Sequence, residues 1–167
     1  LYYGVNQEMT KEEFRQHIED DTVCDYLKKV PIKKGDCFYI KAGTIHAIGA
    51  GSVIAEIQQC SNSTYRVYDF GRLGADGKPR ELHIDKAVDV SCLVPSEKNG
   101  DPEGTIEELD GYTKLLLTDN DYFTCERYDV TKSYNGQAGL DSFQALTILN
   151  GEGTITYDDK TLDIKKG

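Results

Sequence analysis

The chain has 167 residues with 38% hydrophobic and 10% aromatic content, enough for one good-sized domain or two small ones around a packed core. Its formal net charge of −10 disfavours nucleic acid and anionic membranes as partners of the surface as a whole. It contains no apolar run of about 18 residues, the opening LYYGVNQEMTKEEF lacks the parts of a signal peptide, and the cytoplasm is the expected compartment.

Thr10 and Glu13 form a T-x-x-E capping box ahead of EEFRQHIED, which places Phe14, His17 and Ile18 on one helical face. His17 reads as a half-buried residue of that face. A second short helix is expected from about Thr22 to Lys29, through Val23, Tyr26 and Leu27, with Pro31 ending it. From Val30 the pattern becomes that of antiparallel strands: VPIKKGDCFYI, SVIAEIQQ and TYRVYDF, separated by Gly, Asn and Ser. LHIDKAVDVSCLV returns to a helical period through Ile84, Ala87, Val88 and Cys92, and the polar stretch PSEKNGDPEG reads as a linker. Strands follow in YTKLLLTDNDYFTCERYDV and SFQALTILNGEGTITYDDKTLDIKKG, where NGEG and YDDK read as hairpin turns. LDIKKG at the end echoes VPIKKG at Val30 to Gly35, which suggests a larger two-repeat protein of which this chain is an incomplete part.

Cys24, Cys37, Cys60, Cys92 and Cys125 lie far apart with no CxxC, as packing thiols do and as disulfide frameworks and zinc fingers do not. GAGS and NGEG lack the Lys-Ser/Thr ending of a phosphate loop. Three scattered histidines give no Ser-His-Asp or Cys-His arrangement.

The segment GDCFYIKAGTIHAIGAG carries the most information. Gly35, Lys41, Gly43, His46 and Ala50 fall at the spacing of the second cupin motif, G(X)5PXG(X)2H(X)3N, with Lys41 in place of Pro and Ala50 in place of Asn. A strand ending at a glycine corner and another beginning with an imidazole would point His46 into a small barrel, where a metal can be held with an open position. A core histidine beside a turn is the alternative. Together IHAIGAG, EIQQ and TYRVYD resemble the type I mannose-6-phosphate isomerases in their bacterial short form, over nearly the whole chain.

That resemblance implies a mainly β fold with helical insertions, built from cupin (jelly-roll) β-barrel elements as a tandem repeat truncated at both ends. Residues 1–94 would be the helical insertion and second half of the catalytic cupin. Residues 95–167 would be a linker and the first part of a second, metal-free barrel, where Gln144 precedes Gly151 with no His nearby. It implies one zinc ion held by a Gln, two His and a Glu. His46 matches the last of these ligands, and the others lie upstream of the helical insertion. Glu56 matches an acidic residue of the active site, suited to moving the proton between C1 and C2 of a sugar phosphate. Arg66 matches an active-site arginine for a phosphate or for developing negative charge. Without the resemblance, Glu56 is an ordinary strand carboxylate and Arg66 its surface partner.

Arg72, Arg80 and His83 belong to the stretch leading into the next helix, and His83 orients the start of that helix in the simplest reading. The implied activity is zinc-dependent interconversion of mannose 6-phosphate and fructose 6-phosphate, absent from this chain alone, where zinc binding would be weak. A non-catalytic sugar or sugar-phosphate binding cupin is the alternative, and a bare structural fragment is a third. The expected partner is a sugar phosphate, and exposed strand edges leave room for a homo-oligomer or a strand-swapped dimer.

Overall fold

The structure, a computed structural model, describes residues 1–97 and 100–167; Lys98 and Asn99 of the expected linker lie outside the described residues. The chain divides into two compact units, Leu1–Thr131 and Lys132–Gly167. This division falls later than the expected boundary between residues 94 and 95, which concerned cupin repeats rather than compactness.

In the first unit, strand β1 (Tyr2–Val5) lies between β2 (Leu27–Lys29) and β3 (His46–Ala47), all antiparallel. Helix α1 (Lys11–Glu19) starts where the sequence places it. The Glu13 amide donates to Thr10 Oγ1 at 3.1 Å and the Thr10 amide to Glu13 Oε2 at 2.8 Å, so two orphan donors of the first turn are satisfied reciprocally. Its buried face, Phe14 and Ile18, joins Val5, Met9, Val23, Leu27, Val88 and Leu93 in one core. Val88 comes from helix α2 (Ile84–Val90). Arg15 reaches Asp85 at 2.7 Å and Lys11 approaches Asp89 at 3.6 Å, so exposed ion pairs flank the contact between the helices. Their contribution is small beside that of the apolar face.

Several sequence expectations need correction. The second helix is a 3-10 turn over Val23–Tyr26, and the chain then extends into β2 instead of continuing to Lys29. A helix this short has little cooperative stability of its own, whereas Leu27 pairs with Val5 across the sheet and is buried. VPIKKGDCFYI, SVIAEIQQ and TYRVYDF are not strands. Alternation signals a surface fit for a sheet, but a strand forms only where a neighbour supplies its hydrogen bonds; Val53 is fully exposed and Ile54 and Ile57 are about half exposed. The echo between VPIKKG and LDIKKG survives only at its glycines, since Gly35 and Gly167 both have left-handed φ, +97° and +87°, while only the second copy is part of a strand.

The rest of the first unit is an antiparallel sheet of β4 (Glu107–Leu109), β5 (Tyr112–Asp119) and β6 (Thr124–Val130), with an irregularity between Leu116 and Thr118. Asn120 Oδ1 accepts from the amides of Tyr122 and Phe123 at 2.9 and 3.2 Å, and this local bond shapes the β5–β6 turn. In the second unit β7 (Glu152–Tyr157) and β8 (Lys160–Lys165) form the hairpin expected from YDDK. Asp158 takes a left-handed φ of 51° in the two-residue connection, a conformation Asp tolerates better than most residues. The preceding SFQALTIL has no strand, so NGEG does not turn the expected hairpin, and Gln144 is exposed, its side-chain amide donating to the Gln137 carbonyl at 3.2 Å.

Candidate functional site

His46 is placed by the turn that precedes it. The Thr44 amide donates to the Lys41 carbonyl at 3.0 Å, closing a four-residue turn whose third residue, Gly43, has φ +84°. That φ is the one a type II turn demands at this position, where glycine is favoured. Gly43 is constrained a second time, because a Cβ there would collide with the Val90 carbonyl at the end of α2, and the Cys92 amide donates to the Gly43 carbonyl at 2.8 Å. The chain then enters β3, with His46 opposite Tyr3.

The His46 ring is exposed, and its Nδ1 lies 2.9 Å from the Thr44 carbonyl. A carbonyl only accepts, so Nδ1 carries the proton and Nε2 keeps its lone pair, the tautomer a ligating imidazole needs. His46 therefore fits a metal as one ligand. Among the described residues no group of three or more His, Cys, Asp and Glu is assembled to hold an ion, so the donors in this chain do not by themselves make a zinc site.

Glu56 is exposed and lies in a segment without helix or strand, so the sequence expectation that Glu56 and Arg66 occupy successive strands of one sheet does not hold. Among the described residues Glu56 shares no hydrogen bond or ion pair with His46 or Arg66.

Arg66 is held closely, by the stretch before α2. Its amide donates to His83 Nδ1 at 3.0 Å, its carbonyl accepts from the His83 amide at 2.8 Å, and its Nη1 donates to the Glu81 carbonyl at 3.0 Å. Nearby, Arg80 grips both carboxylate oxygens of Asp69, which holds that carboxyl below the usual carboxylate range. Arg66 and Arg72 add weaker attraction in the same direction, and Arg72 lies over the Phe70 ring at 5.4 Å. His17, read as a face residue of α1, is half-buried, stacked on Tyr26 with ring centroids 3.6 Å apart and its Nδ1 3.1 Å from the Thr22 hydroxyl. Sequence reasoning missed the bond between His83 and Arg66. Its one signal is a histidine at the helix N-cap, where Ser, Thr, Asp or Asn is usual.

No family profile matches the chain. Mannose-6-phosphate isomerase ManA of Bacillus subtilis is 37% identical to it across the whole chain and 52% of that protein. The mannose-6-phosphate isomerase of Streptococcus mutans is 35% identical across the whole chain and 51% of that protein. A solved mannose 6-phosphate isomerase from B. subtilis superposes with a TM-score of 0.81 at 33% identity, over 99% of this chain and 52% of that one. The chain is homologous to mannose-6-phosphate isomerases. It spans about half the length of the curated mannose-6-phosphate isomerases it matches. The likeness extends to the fold: the chain is mainly β with few helices, as read from its sequence. Among the described residues no helix is long and apolar enough to cross a membrane.

Proposed function

We propose that the full-length protein interconverts mannose 6-phosphate and fructose 6-phosphate on a cupin barrel that holds one zinc ion, with His46 as one of its ligands. The observation that carries this reading is the match to named isomerases at 35% and 37% identity over the entire chain. The residues present suit the chemistry. Aldose–ketose exchange through an enediol removes the proton from C2 and returns it to C1, and the exposed carboxylate of Glu56 is free to carry that proton. Negative charge develops on the reacting oxygens, and Arg66, bonded to a carbonyl rather than to a carboxylate, keeps its positive charge available for them or for the phosphate.

The chain alone supplies one of the expected zinc ligands and is inactive in this account. Isomerisation of mannose 6-phosphate by the full-length protein, compared with Glu56→Gln and Arg66→Ala, tests the reading. Turnover that collapses in both variants supports it. Sugar-phosphate binding without any turnover in the unsubstituted protein would replace it with a non-catalytic sugar-phosphate binding cupin.

A further inference from the structure

We infer that His83 is a positioning residue for Arg66, acting through a neutral imidazole that accepts the Arg66 amide; the catalytic consequence rests on the role of Arg66 proposed above. His83 is the N-cap of α2, with φ −108° and ψ 53°, yet its side chain makes no capping bond to its own helix. An N-cap side chain ordinarily accepts from the second or third helical amide. Here the ring turns away and accepts the Arg66 amide at Nδ1 instead, while the His83 amide donates to the Arg66 carbonyl at 2.8 Å. One residue thus satisfies both backbone groups of Arg66, and the Glu81 carbonyl, two positions earlier, fixes its guanidinium.

The direction of the bond sets the tautomer. A backbone amide can only donate, so Nδ1 offers its lone pair and the ring proton sits on Nε2. Tyr65, the residue before Arg66, meets the ring edge-on with centroids 6.2 Å apart and restrains its rotation. Behind His83 the helix is anchored by buried Ala87 and Val88, and Val88 packs in the same core as Phe14 of α1. The backbone of a half-buried arginine is thereby referenced to the packed core through the His83 imidazole and amide, while the Glu81 carbonyl holds its guanidinium. Tight placement of such a charge matters, because a displacement of about 1 Å at a reacting centre can cost on the order of 100-fold in rate.

The test uses the full-length protein and a double-mutant cycle. His83→Ala is expected to lower kcat by roughly 10- to 100-fold, while in an Arg66→Ala background the same change costs less than about threefold, since the residue it positions is already gone. His83→Asn keeps an acceptor oxygen near the place of Nδ1 and suits an N-cap, so it is expected to restore most of the loss. Nitrogen-15 spectra of the unsubstituted protein, taken where free histidine is neutral, should show His83 Nδ1 unprotonated and coupled through the hydrogen bond to the Arg66 amide. Equal losses in both backgrounds, full activity in His83→Ala, or a proton on Nδ1 would each overturn the inference. An inactive unsubstituted protein would overturn the isomerase reading and its catalytic consequence for His83, whereas the Nδ1 signal would still decide whether the bond to Arg66 exists.

Discussion

Replacing Gly43 with Ala separates two costs that the turn before His46 imposes. The first is conformational: a φ of +84° disfavours any residue with a Cβ, by about 1–2 kcal/mol. The second is steric, because the new methyl would lie well inside contact distance of the Val90 carbonyl oxygen and 3.4 Å from the Cys92 nitrogen. Both neighbours are backbone, at the end of a helix whose Val88 is anchored in the core, so neither can swing aside as a flexible side chain would. Forcing extra volume into such a place typically costs a further ~1–3 kcal/mol, giving about 2–5 kcal/mol in total.

Gly51→Ala is the matched control, since Gly51 has nearly the same φ, +81°, and a methyl added there would meet nothing within 4 Å. It should show the conformational cost alone. Urea unfolding of both variants, read as a change in midpoint at constant slope, measures the difference. A Gly43→Ala variant no less stable than Gly51→Ala would refute the claim that the turn is wedged against α2.

Phe14→Ala removes a fully buried ring from the core shared by α1, α2 and β1 and should destabilise the first unit by about 3–5 kcal/mol in the same assay; a loss under about 1 kcal/mol would contradict that packing. Arg80 holds the Asp69 carboxyl below the ordinary carboxylate range, so the stability it contributes is present at neutral pH and lost as pH falls through the lowered folded-state value. A carbon-13 titration should find the Asp69 midpoint below that of a free aspartate and rising in Arg80→Ala; an unchanged midpoint would show that the pair does not form in solution. Burial raises the Cys24, Cys37 and Cys125 thiols, whereas Cys60 and Cys92 are exposed. Maleimide at neutral pH should therefore modify Cys60 and Cys92 first, and equally rapid labelling of Cys37 would count against its placement.

What the sequence made legible was local. The capping box at Thr10 and Glu13, the apolar period of α1, and the YDDK turn each depend on residues a few positions apart, and each forms as read, whereas α2 ends at Val90 and leaves Cys92 of its expected face outside the helix and exposed. The candidate site was legible as residue types, through the spacing from Gly35 to His46 and the run TYRVYD. Its strands were not, because SVIAEIQQ and TYRVYDF have the alternation of a sheet without a hydrogen-bonded neighbour, and alternation cannot announce whether one is there. Leu27 likewise had a helical pattern, but its pairing with Val5 is a long-range fact. The bond from Arg66 to His83 spans 17 residues and inverts the usual use of an N-cap side chain, so no local rule reaches it.

The role proposed for His46, as one ligand of an isomerase metal, can be read directly. Its most direct measurement is bound zinc together with isomerase turnover in the full-length protein and in His46→Ala. The unsubstituted protein is expected to carry zinc and turn over, and His46→Ala to lose both together. A His46→Ala protein that keeps its zinc and its turnover would contradict it.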